Sequence, residues 1–180
     1  MKKLISILPL VFLLCFTFGC QDKEAMAELE EFRAQAEVEE QNKELAKSYF
    51  KAVDSGNAEN MRDYYSPETA FYSPSGTSDP MSGDEDIELG KMYMKAFPDL
   101  LHNIEEIYAA NNKVIVRLVT EGTHVGELEG FPPPGNTIRV SSIYICTIKD
   151  GKIVEIRADG DTLGMMQQLG MELKPKEEEK

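Results

Sequence analysis

The sequence predicts an α+β domain in which N-terminal helices pack on a strongly curved antiparallel sheet. Up to Phe97 the apolar residues mostly recur at helical spacing, and from Ile104 onward they alternate, so the chain reads as helices first and long strands second. The strand half is punctuated by Asn111-Asn112 and Asp150-Gly151, which mark tight reversals between consecutive strands.

The elements follow in order. Met1-Lys2-Lys3 is a positive start, and Leu4 to Phe18 is an uncharged apolar run. A membrane span needs about 20 apolar residues, so this run fits a signal-peptide core better. It ends at Gly19-Cys20, which resembles a bacterial lipobox, and the polar Gln21-Asp22-Lys23-Glu24 follows at once. The expectation is that residues 1–19 are a cleaved lipoprotein signal peptide and that Cys20 carries lipid. The protein would then be exported and held on a membrane of the bacterial cell envelope. An ordinary secretory signal with an incidental cysteine is the alternative. Residues 20–42 are rich in Glu, Ala and Gln and read as an acidic helical stalk, since the apolar positions Met26, Leu29 and Phe32 fade after Ala36.

The packed domain is expected over residues 43–172. Leu45, Tyr49, Ala52 and Val53 share one helical face, and Asp54-Ser55-Gly56-Asn57 ends that helix. A short helix from Ala58 to Tyr65 follows, then a strand from Thr69 to Ser73 and a turn-rich loop from Pro74 to Gly83. Asp84 to Phe97 is a helix closed by Pro98-Asp99. Strands are expected over Ile104 to Ala109, Lys113 to Thr123, Thr137 to Lys149 and Lys152 to Ala158. Asp161 to Leu169 is a closing helix, with Gly170 past its end. Residues 173–180 form a charged tail.

Composition narrows the partners. Loss of Lys2 and Lys3 with the leader takes the formal charge from -13 to -15, which repels nucleic acid and anionic headgroups. Cys15 lies in the leader and Cys20 is the lipid site, so Cys146 is left alone in the domain, as an inert core thiol. No close His/Cys/carboxylate spacing suggests a metal site.

Several motifs in fixed order carry a family resemblance. They are Ala96-Phe97-Pro98-Asp99-Leu100, the strand Val114 to Thr120, and Gly122-Thr123-His124-Val125-Gly126. Gly130-Phe131-Pro132-Pro133-Pro134-Gly135, Asp150-Gly151-Lys152-Ile153-Val154-Glu155 and Asp161-Thr162-Leu163-Gly164 through Gly170 follow. Together they resemble the SnoaL-like polyketide cyclase (ester cyclase) family, within the wider nuclear-transport-factor-like fold. The resemblance implies a cone, or α+β barrel, with a cavity between helices and sheet. It also implies a cavity carboxylate acting as general acid/base with a histidine beside it, at Asp161 and His124, and no metal or organic cofactor. Burial raises a carboxyl toward working pH, and a neutral histidine can donate to a substrate oxygen.

Other readings stand beside these. Asp161 can serve as a helix N-cap alone, His124 can satisfy a turn, and His102 reads as a surface residue. Tyr49, Tyr65, Met94, Phe97, Phe131 and Tyr144 are candidates to line the cavity, or plain core. Two functions follow. One is cofactor-free cyclase or isomerase chemistry on a small hydrophobic carbonyl compound. The other is non-catalytic binding of a ligand or partner on the envelope. A scaffold that forms homodimers through the outer face of its sheet is a third.

Overall fold

The computed structural model describes residues 8–128, 135–172 and 174, with side chains from Lys23 onward. The expectations on Phe131, on the Cys20 side chain and on most of the charged tail fall outside the described residues. The chain divides into two compact units between Val38 and Glu39. A single helix, α1 (Leu8–Val53), runs through both. In the first unit Met26, Leu29, Phe32 and Val38 are exposed. Among the described residues no helix is long and apolar enough to cross a membrane.

In the second unit Ala46, Tyr49 and Phe50 on the last turns of α1 are buried. A 3-10 turn (Ala58–Tyr64) follows, capped by the Asn57 side chain. Strand β1 (Tyr65–Tyr72), the two-residue β2 (Met81–Ser82) and helix α2 (Gly83–Ala96) come next. Ser82 and Glu85 form a reciprocal capping box that fixes where α2 begins. The second half contributes β3 (Leu101–Ala110), β4 (Lys113–Thr123), β5 (Thr137–Lys149) and β6 (Lys152–Gly160), then α3 (Thr162–Gln168).

The six strands form one sheet in the order β2-β1-β6-β5-β4-β3. This corrects the expected architecture in two ways. The sheet is mixed, because β1 pairs parallel with β6, and it is open rather than closed into a barrel. The α+β assignment holds, with helices over one face of the sheet. Parallel pairing follows from the connection. β1 reaches β6 only after the whole meander has intervened, so no hairpin forces the two strands antiparallel.

Register defines what the inner face presents. One row across β3, β4 and β5 holds His102, Thr120 and Val140. The next runs Ile104, Leu118, Ser142 and Gly160, and the next Ile107, Val116, Tyr144 and Ala158. The last, through Val114, Cys146, Ile156 and Phe71, is wholly buried. The inner face thus changes from polar to apolar along the strands. A β-bulge between Ile104 and Glu106 allows both His102 and Ile107 to occupy inner rows despite their odd separation.

Candidate active site

Over the polar end of the inner face lies a cavity of about 220 Å³. Its apolar wall includes Phe50 and Val53 of α1, Leu89 and Met94 of α2, and Val140 of β5. Asp86, Tyr49, Tyr93, Tyr144, His102, Thr120 and Ser142 supply polar groups. All belong to the second unit.

Asp86 is the most unusual of these. It stands in the first turn of α2, yet it is buried at 6 % exposure. The reason is its phase on the helix. Asp86, Leu89, Gly90, Tyr93 and Met94 recur at helical spacing and all line the cavity. Burial pushes the Asp86 carboxyl up to about 6, partly opposed by the Tyr65 hydroxyl, which donates to its Oδ2. The Tyr65 hydroxyl lies 2.9 Å from that of Tyr49. A Cβ at Gly83 would stand 2.9 Å from the Tyr65 ring, so glycine there admits the tyrosine. The phenols of Tyr49, Tyr65 and Tyr144 are all pushed well above their ordinary range, burial being the main cause and the Asp86 charge the next. They remain neutral hydroxyl donors.

A second ionisable pair sits on the sheet side. His102 Nδ1 is 2.6 Å from Asp54 Oδ1, and the two side chains are only 8 % and 15 % exposed. Asp54, just past the end of α1, also accepts the His102 backbone N–H at 3.1–3.2 Å. The Phe50 ring packs against the imidazole. The expectation of a surface His102 is therefore corrected. The residue falls on an inner row, where a carboxylate at the end of α1 takes up its ring N–H.

The residues expected to form the catalytic pair are placed elsewhere. Asp161 is exposed and caps α3, accepting the Gly164 N–H at 2.8 Å. His124 is 1 % exposed and stacks on Phe97, with ring centroids 5.0 Å apart. Its backbone bonds to Asn136 and Gly135, and neither ring nitrogen has a partner among the described residues. Gly126 lets this segment lie against the end of α2, since a Cβ there would collide with the Lys95 carbonyl. Neither His124 nor Asp161 lines the cavity. Of the expected lining residues, Tyr49, Met94 and Tyr144 do, Tyr65 reaches it through Tyr49 and Asp86, and Phe97 is core beside His124. Cys146 is fully buried, its thiol pushed up to about 12 by burial, as befits an inert core group.

Asp54, Asp86 and His102 are the functional candidates that motif reading missed. The signal for Asp86 was present in the sequence, as an acid on the apolar stripe of its helix.

An open α+β sheet covered by helices, with a small cavity holding buried acid and phenol groups, defines a small-molecule protein of the cone-fold class. A family model described as SnoaL-like polyketide cyclase matches residues 43–169, and the chain belongs to that family. It is 33% identical to aklanonic acid methyl ester cyclase DauD of Streptomyces sp. strain C5 over 113 residues, 61% of this chain and 66% of that protein. It is 30% identical to aklanonic acid methyl ester cyclase DnrD of Streptomyces peucetius, over 71% of this chain and 89% of that one. The fold is similar to that of AclR from Streptomyces galilaeus, with a TM-score of 0.68 at 24% identity, covering 77% of this chain and 87% of that structure.

Proposed function

We propose that the cavity takes a small hydrophobic molecule bearing a carbonyl group and carries out cofactor-free proton transfer on it, as a cyclase or isomerase does. Family membership supports this type of role, and DauD and DnrD are aklanonic acid methyl ester cyclases. The observation that carries the reading is Asp86, a carboxyl held near neutrality on the cavity wall. A base whose proton affinity lies near working pH removes and returns protons most effectively. With Tyr65 on Oδ2, the other oxygen remains for a carbon-bound proton beside the substrate carbonyl. The apolar wall favours a compact occupant. A cavity of 150 Å³ holds benzene, so about 220 Å³ suits one or two rings.

The sequence supports a setting for this domain. In this proposal residues 1–19 are removed, Cys20 is acylated, residues 20–42 are a spacer, and the domain of residues 43–172 works at the bacterial envelope. Incorporation of labelled palmitate that is lost in Cys20→Ser tests the anchor. The catalytic reading is tested by deuterium exchange into ethyl benzoylacetate, followed by proton NMR in heavy water. Wild-type protein is expected to accelerate exchange and Asp86→Asn to abolish the acceleration. Saturable binding without exchange would instead favour a non-catalytic carrier with the same cavity.

A further inference from the structure

The pair on the sheet side of the cavity has a geometry that the Asp86 reading does not use. Asp54 accepts from both the backbone N–H and the ring of His102. A carboxylate can only accept, so the ring proton at that contact sits on Nδ1 in either charge state of the imidazole. Nε2 is then the nitrogen left for other partners. The structure gives it none among the described residues, and His102 lines the cavity. Thr120 shares its row, and its neighbours beyond are apolar or small. A buried imidazole on a cavity wall, oriented through one nitrogen by a carboxylate, is an arrangement suited to moving a proton.

We propose that His102, oriented by Asp54, is the second proton-handling group of the cavity and receives the carbonyl or enol oxygen of the substrate. This rests on Asp86 being the carbon base. As Asp86 takes the carbon-bound proton, the electron pair moves into the new carbon–carbon double bond and the carbonyl oxygen gains charge. The Nε2–H of the imidazolium, balanced by Asp54, passes its proton to that oxygen. The products are the enol, neutral His102 and protonated Asp86. Reversal at the same or a neighbouring carbon restores both residues. The substrate class is thus an enolisable ketone or β-keto ester of one or two rings. Its acidic carbon lies toward α2 and its oxygen toward β3. Asp54 is a positioning residue.

The test uses the full chain with nitrogen-labelled histidine, and para-nitrophenol as a mimic of the enol oxygen. Long-range nitrogen–proton NMR assigns His102 by the signal missing from His102→Gln. The expected result is a proton on Nδ1 in the free protein and a movement of the Nε2 resonance as nitrophenol saturates. Failure of nitrophenol to bind overturns the proposal. So does an Nε2 resonance that stays still while the methyl signals of Met94 and Met165 in the cavity wall move. In the ethyl benzoylacetate exchange assay, His102→Gln is expected to lower kcat about 100-fold with KM little changed. Asp54→Asn is expected to lower kcat less and to displace the Nδ1 signal. Wild-type rates in both variants overturn the proposal. If wild-type protein fails to exchange the ester, the Asp86 reading falls, while the nitrophenol titration still decides whether His102 receives an oxygen.

Discussion

Asp86 and Asp161 both stand in or beside the first turn of a helix that rests on the sheet, where carboxylates are commonly found because the helix dipole and free N–H groups favour them. Asp161 does what that position suggests. It is exposed and its carboxylate caps α3. Asp86 lies far enough into α2 that its backbone N–H is inside the helix, and its side chain falls on the stripe that faces the cavity. Burial then holds its proton on to about 6. Position at a helix start therefore does not separate a structural acid from a chemical one. Phase relative to the apolar stripe does.

The two acids should part most widely when each loses its charge but keeps its shape. Asp86→Asn is expected to lower proton abstraction at least 100-fold, the lower end of general acid/base effects. Asp161→Asn should leave the rate unchanged, since asparagine also caps helices. Exchange of deuterium into ethyl benzoylacetate measures both, and the opposite pattern would return the chemistry to Asp161.

The next effect is on stability. Because the folded chain binds the Asp86 proton more tightly than the unfolded chain, its contribution is fully present below the ordinary aspartate range and is lost as pH rises through about 6. A rise from 3.8 to about 6 corresponds to about 3 kcal/mol. The phenols that feel the Asp86 charge do not titrate in this window, because Tyr49, Tyr65 and Tyr144 are all pushed upward. Urea unfolding from acid to neutral pH should show this slope in the wild type and lose it in Asp86→Asn. From acid pH up to about 6 the exchange rate should rise, since Asp86 must be ionised to act as the base.

Smaller effects sharpen the picture. Asp161→Ala should cost about 1 kcal/mol through the lost cap, visible as a lower Tm with the exchange rate intact. Tyr65→Phe removes a hydrogen bond that holds the Asp86 carboxyl down, so the inflection of the rate profile should move upward from about 6. At high pH the acceptor is a carboxylate and such a bond is worth about 1.5–3 kcal/mol, so the rate there should change by no more than about 100-fold.

Much of the architecture was legible in the sequence. The boundaries of β4 and β5 coincide with the alternation read from Lys113 to Thr123 and from Thr137 to Lys149, because one face of each strand is buried and the other is not. The parallel pairing of β1 with β6 was not legible. Paired residues such as Ala70 and Glu155 lie far apart in the chain, and no local turn chemistry speaks for the direction of the two strands. The site was less legible than the fold. The family motifs point to His124 and Asp161, whereas the cavity is lined by Asp86 and by His102, which Asp54 holds from behind. His102 was hidden for a specific reason. Residue alternation places it on the side opposite Ile107, and only the irregularity between Ile104 and Glu106 reconciles the two.

That irregularity makes the register of β3 a determinant of chemistry. Glu105 and Glu106 both reach Arg117 on the outer face, so the extra residue is anchored there by charge. Deleting either glutamate would restore unbroken alternation with His102 and Ile107 four positions apart, on one face, so the imidazole would keep its inner row. Pairing the full-length strand without the extra residue would act in the opposite way. Ile107 and Ala109 would keep their orientation, the start of the strand would turn over, and the imidazole would point to solvent. In this fold one surplus residue on the solvent side decides which face carries the second ionisable centre.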